Sequence, residues 1–209
     1  DEMHWDRPTL LSGKGMIIID VLERYARELL LYDGRHNDLR LLHLEEDFTG
    51  TFKVASAGGM TEVKVGGRAD RIDMTGGAVR VVDYKTGAPK RDAVTVEGLF
   101  DEEKDKRNDA VLQALFYCTL IRQSHPGRLV LPSIYWIQQL SSADFTPYTR
   151  TPGLEGTDAL HEEWNTFMSD FQQQLDMTLN KIFSDNEDFT MTSFRRRCST
   201  CPYRTLCRR

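Results

Sequence analysis

No stretch of this chain is apolar over the length needed to span a bilayer, which argues against an integral membrane protein built on helices. The opening "DEMHWDRPTLLSGKG" has no basic residues leading into an apolar core, so it does not read as a secretory leader. It also has no initiator methionine, and the expectation is a fragment of a longer protein. A phosphate-binding loop is missing as well, because Gly13-Lys14 lacks the earlier glycine that such a loop needs. Motor chemistry is thereby excluded from this stretch. Cysteine is scarce and uneven: Cys118 stands alone, while Cys198, Cys201 and Cys207 crowd the end. That distribution does not suit a secreted disulfide framework and suits a cytoplasmic chain with a metal-binding tail. Internal repeats and low-complexity blocks are absent too.

The 209 residues, 40% of them hydrophobic and 28% charged, match a single domain able to bury a core. The net charge of −5 speaks against a nonspecific nucleic-acid coat. Its distribution is less uniform. Residues 195–209 carry Arg195, Arg196, Arg197, Arg204, Arg208 and Arg209 and no acid, a tail of +6 on a remainder of −11. Such a tail is either solvated or makes local phosphate contacts.

Apolar spacing predicts a helix over 14–32, with Ile17, Ile18, Val21, Leu22, Tyr25, Ala26, Leu29 and Leu30 on one stripe. Strand-like pieces fill 39–74, separated by Gly58-Gly59 and Gly66-Gly67, and another strand covers 78–86. The segment after Lys85 reads as a long, mobile polar connection. A helix over 109–123 follows, capped by Asn108 or Asp109. "RLVLPSIYWIQQL" is a strand candidate. A long helix over 156–183 runs through Leu160, Trp164, Phe167, Phe171, Leu175, Leu179 and Ile182. The pattern predicts an α/β fold, a mixed sheet flanked by helices.

Between Asp70 and Asp83 lies "RIDMTGGAVRVV", and Gly-Gly between two β-rich runs signals a two-residue hairpin. A turn centred on Gly76-Gly77 sets Met74 against Val79, Ile72 against Val81, Asp70 against Asp83 and Arg68 against Lys85. On the other face Asp73 meets Arg80 as an ordinary cross-strand ion pair. Opposed carboxylates destabilise a sheet. Protonation, neighbouring cations or a bound divalent metal such as Mg²⁺ or Mn²⁺ each relieve the repulsion. Without such a role, Asp70, Asp83 and Lys85 form a structural charge network at a sheet edge. In "DAVLQALFYCTL", Gln113 and Tyr117 share a helix face beside the buried stripe of Leu112, Leu115, Phe116 and Leu120. They either hold a substrate phosphate or water, or flank the helix as satisfied polar residues.

"GRADRID", "VVDYKTG" and "QALFY" together resemble the RecB/AddB-type C-terminal nuclease domain of the PD-(D/E)xK nuclease superfamily, from about residue 14 to the C-terminus. The resemblance implies a restriction-endonuclease-like mixed central sheet flanked by helices, spanning 1–209 as one domain of a longer helicase–nuclease or exonuclease. It implies a Mg²⁺- or Mn²⁺-dependent exonuclease on single-stranded DNA in recombination and repair, partnered by an upstream helicase domain or subunit that supplies ATP-driven unwinding. Asp70 and Asp83 would be metal ligands, with the Tyr84 carbonyl completing the set. Lys85 would position the attacking water, and Gln113 and Tyr117 match the polar pair on the supporting helix. The DNA would pass Arg68, Arg71 and the basic tail. In the family's first helix a histidine ligand follows the glycine. "GMIIIDVLE" puts Ile19 there, so Asp20 or Glu46 compensates, two carboxylates suffice, or activity is weakened or lost and a nuclease-like DNA-binding domain remains. His4, His36 and His43 read as surface residues.

"CSTCPYRTLC" resembles the C-terminal part of the iron–sulfur staple of AddB-type nucleases, which implies a [4Fe–4S] cluster on Cys198, Cys201 and Cys207 with its fourth ligand upstream. Zinc, as in a structural interaction module, and free thiols are the alternatives. Cys118 reads as a small buried residue.

Overall fold

The computed structural model describes residues 13–56, 58–89, 94–101, 107–147, 161–184, 188 and 190–208. Helix α1 (Gly13–Asp33) precedes strands β1 (Arg40–Ser56), β2 (Gly59–Thr75) and β3 (Ala78–Lys85). Short helix α2 (Val96–Phe100) and helix α3 (Asp109–Ser124) lead to β4 (Val130–Trp136) and a 3₁₀ turn at Ile137–Gln139. Helix α4 (His161–Phe183) and the four-residue α5 (Arg195–Cys198) complete the order. The sheet runs β1-β2-β3-β4, antiparallel except that β4 lies parallel to β3. A parallel pair needs a crossover, and α3 supplies it. The mixed central sheet flanked by helices is the architecture expected from the sequence.

The Gly-Gly turn sets the register as its spacing predicts. Thr75 pairs with Ala78, Met74 with Val79, Asp73 with Arg80 and Ile72 with Val81. Gly76 and Gly77 have φ of 58° and 78°, the left-handed values that a two-residue turn of this hand requires. Asp38 clamps the turn, accepting from the Thr75 hydroxyl and the Gly76 N–H at 2.6 Å each. These bonds hold its pKa below the ordinary 3.8, so the stabilisation is full above that value and lost as pH falls through the lowered pKa. Asp38→Ala is accordingly expected to lower Tm at pH 7, and the gap to wild type to close below about pH 3.8 in thermal scans.

The main core fills the space between one sheet face and helices α3 and α4. It contains Ile72, Val79, Val81, Leu115, Ile121, Trp164 and Phe171. Trp164 is fully buried, and its indole N–H donates to the Val130 carbonyl at 3.1 Å. The stripe expected on α4 packs inward from Trp164 to Leu179, while Ile182 is exposed and Leu160 lies outside the described residues. In α3 the Asn108 side chain caps the Val111 N–H, and Cys118 is fully buried, which pushes its thiol pKa well up. A smaller cluster of Tyr32, Val82, Tyr135 and Leu140 covers the opposite face.

Three elements depart from the sequence reading. Gly66-Gly67 does not break a strand: β1 and β2 form a hairpin of 17-residue strands with both glycines inside it. A Cβ at Gly66 would stand 2.1 Å from the Phe48 carbonyl oxygen, so glycine here permits close approach rather than a turn. Part of the connection after Lys85 is anchored: within 94–101 Val94, Val96 and Leu99 are buried and Thr95 caps α2 through the Gly98 N–H, while 90–93 and 102–106 lie outside the described residues. The stripe on α1 is largely unburied. Tyr32 packs inside, whereas Ile17, Ile18, Leu22 and Leu30 are exposed because the helix meets the body chiefly through its last turns.

Candidate active site

Alternation puts residues two apart on one face of a strand and residues three apart on opposite faces. In β2, however, Ala69 and Ile72 both join the main core. The inside–outside phase of β2 therefore changes between them, and Asp70 sits at that step; a register shift of the β1–β2 pairing lies elsewhere, between Leu41 and His43. Across the ribbon Glu45 has φ 48°, a left-handed conformation costing a non-glycine residue about 1–2 kcal/mol. Pairing on its two sides is regular, Leu44 with Arg71 and Glu46 with Ala69. A local irregularity of this kind re-aims a side chain. Asp70 consequently does not continue the β2–β3 ladder, which ends at Arg71 and Val82. Its Oδ2 instead accepts the Tyr84 N–H at 2.8 Å.

Asp83 is 3% exposed near the end of β3. Burial raises its pKa, the Lys85 hydrogen bond and charge lower it, and Asp70 raises it further, with a net rise. Lys85, on the same face two residues on, donates to Asp83 Oδ1 and to Gln113 Oε1, each at 3.0 Å. Its Nζ also lies 2.8 Å from Asp83 Oδ2, yet that buried oxygen accepts no well-directed hydrogen bond. A carboxylate oxygen buried without a hydrogen bond, beside a second acid, fits a hard cation. Asp70 and Asp83, with the backbone carbonyl of Tyr84, are the groups suited to hold one. Tyr117 is buried on α3 and lies over Gly67, where a Cβ would stand 2.7 Å from its hydroxyl.

The structure thus gathers Asp70, Asp83, Lys85 and Gln113 in one place. Other expected residues go elsewhere. Arg68 does not face Lys85; it is exposed, pairs with Asp47 across the ribbon, and its Nε lies 3.7 Å from that carboxylate. Arg71, expected along a nucleic-acid path, is only 6% exposed and is engaged by Asp33 and Asp73, which removes it from any surface contact with phosphate. Ile19 is exposed on α1, and Glu46 is taken up by the His43 ring. His36 is partly buried against Tyr32, and His4 lies outside the described residues.

Cys198, Cys201 and Cys207 are partly buried free thiols. Among the described residues no three or more His, Cys, Asp or Glu side chains converge on one point. Cys198, Cys201 and Cys207 are therefore not gathered as a ready iron–sulfur or zinc site among the described residues. None of the described helices is long and apolar enough to cross a membrane.

The pair of Asp73 and Arg80 is far from ordinary. Asp73 is wholly buried and accepts from both Arg71 and Arg80, while Arg71 also reaches Asp33 at the end of α1 and the Tyr84 hydroxyl. The alternation of charge in "DRID" was visible in the sequence, but the cover from α1, Tyr135 and Phe145 was not.

The chain thus presents a restriction-endonuclease-like mixed sheet flanked by helices, with two acids and a lysine gathered at the β2–β3 end. The model of the PD-(D/E)XK nuclease superfamily matches residues 14–208, and the chain belongs to that superfamily. A search of curated proteins returned no match.

Proposed function

We propose that this chain is a RecB/AddB-type nuclease domain, a Mg²⁺- or Mn²⁺-dependent exonuclease on single-stranded DNA in recombination and repair. A helicase domain or subunit would deliver the strand. The observation carrying this reading is the buried, hydrogen-bond-free Asp83 oxygen beside Asp70, Lys85 and Gln113. A divalent cation bound there lowers the pKa of its water and stabilises charge on phosphate. The chain's own groups do the positioning. Asp83 and Gln113 hold the Lys85 ammonium from two sides, and its remaining N–H donor is available to a phosphate oxygen or the attacking water. Gln113 keeps that ammonium from collapsing wholly onto Asp83. Exposed Arg68 is one cation on the ribbon, beside Arg40, Lys53 and Lys64, available for backbone contacts.

Ile19 favours a second reading, a nuclease-like domain that binds DNA without cutting it, since an isoleucine supplies no metal ligand. End-labelled single-stranded DNA incubated with Mg²⁺ or Mn²⁺ separates the two. Shortening by wild type and not by Lys85→Ala supports the nuclease. Retained DNA binding without cleavage in either metal replaces it with the second reading.

A further inference from the structure

The buried ion network lies on the sheet face opposite Lys85, yet it reaches the site through one residue. Arg71 follows Asp70 directly, and its side chain crosses to the other face. There Nε donates to Asp73 at 2.7 Å, and Nη1 donates to Asp33 and, at 3.0 Å, to the Tyr84 hydroxyl. Arg80 holds Asp73 from the far side at 2.7 Å, and the Tyr135 hydroxyl donates to Asp33 at 3.0 Å. Asp33 and Asp73 sit 15% and 0% exposed, so little water competes for these bonds.

Tyr84 is therefore gripped at both ends. Its backbone N–H is held by the Asp70 carboxylate and its phenol oxygen by Arg71, the neighbour of Asp70 in sequence. Asp83 and Lys85 flank it. At this point the β2–β3 ladder has already ended, and backbone pairing no longer fixes the distance between the two strands. We propose that Arg71 is a positioning residue, whose bond to the Tyr84 hydroxyl replaces the missing ladder and holds Asp70, the Tyr84 carbonyl and Asp83 at the spacing that a divalent cation needs. Groups outside the ligand set that orient it typically change metal affinity by about 10–100-fold when removed. The inference rests on reading Asp70 and Asp83 as cation ligands.

Tyr84→Phe removes the phenol oxygen and nothing else, leaving Arg71 on Asp33 and Asp73. Tyr135→Phe is the matched control: it removes from the same network a hydroxyl that bonds Asp33, and leaves the Tyr84 hydroxyl on Arg71 and the ring packing between residues 84 and 135 in place. Mn²⁺ binding to the full chain is measured by titration calorimetry, with Tm recorded for each variant. The expected result is roughly tenfold weaker Mn²⁺ binding in Tyr84→Phe, with affinity unchanged in Tyr135→Phe. Wild-type affinity in Tyr84→Phe, while Asp83→Asn abolishes binding, overturns the positioning role alone. An equal loss of affinity in both Phe variants also overturns it, because a general loosening of the network then explains the effect. Mn²⁺ binding that is absent in wild type, or that survives Asp83→Asn, overturns the ligand reading and the positioning role together.

Discussion

Lys85→Ala is expected to slow metal-dependent cleavage of single-stranded DNA by about 10²–10³-fold, the loss seen when one charge-stabilising donor is removed from a reacting centre. The ammonium is 29% exposed and so reaches solvent from a site whose acid is buried. Alanine removes the charge facing the phosphate and also frees Gln113 and Asp83. Folding should survive, since the side chain belongs to neither core cluster. The pH profile separates this role from a general loss. Burial raises the Asp83 pKa, and Lys85 opposes the rise. Without metal, Asp83 therefore ionises at higher pH than an ordinary aspartate, and at still higher pH in Lys85→Ala, so at low pH a proton competes longer with the cation in the variant. Initial rates over a pH series at limiting Mg²⁺ or Mn²⁺ check both parts. An unchanged rate would remove Lys85 from the chemistry.

Asp73→Ala is expected to cost about 3–5 kcal/mol of stability, because a buried ion pair broken on one side strands the other charge. Here two buried guanidinium groups lose the same carboxylate. Arg71 and Arg80 are 6% and 1% exposed, and each bonds Asp73. Burial acts against the Arg71 charge, but the Asp33 hydrogen bond and the nearby Tyr84 and Asp73 outweigh it and raise its pKa. The guanidinium accordingly stays charged rather than giving up its proton when its partner is lost. The whole folding free energy of a domain is about 5–15 kcal/mol, so the variant should unfold at a much lower urea concentration. Adding Arg80→Met to Asp73→Ala should recover part of the loss, since Arg71 keeps Asp33 and an apolar side chain fills the vacated site. A urea midpoint unchanged in Asp73→Ala would contradict this account.

The hairpin was legible because Gly76-Gly77 states its own geometry, and the partners of Ile72, Asp73 and Met74 follow from it by counting. Two residues further the counting stops working. Asp70 leaves the ladder opposite a left-handed Glu45 on another strand, and a left-handed glutamate has no signature in sequence. The same distinction separates α3 from α1. The Asn108 cap and apolar spacing of α3 are local, whereas burial of the α1 stripe depended on a surface that never reaches its first turns. Arg71 looked like a surface cation because alternation tells which face a residue takes and not whether that face is covered. Its partner Asp33 lies 38 positions away in sequence. Gly66-Gly67 misled for a related reason: glycine marks both turns and close approaches, and only tertiary contact distinguishes them.

The step in β2 has a consequence for how such a chain can change over time. Odd-numbered residues such as Val63, Val65 and Ala69 turn toward the main core before the step, and the even-numbered Ile72 does so after it. Remove Asp70 and Ala69, Arg71 and Ile72 fall into plain alternation, each still on its own side. The inside–outside phase of β2 therefore has no need of that position, but β1 carries its own irregular residue at Glu45, and losing Asp70 alone would leave Glu45 without an opposite number. A more regular sheet would thus take paired losses, one on each strand, so the step is harder to lose by descent than a single insertion would be.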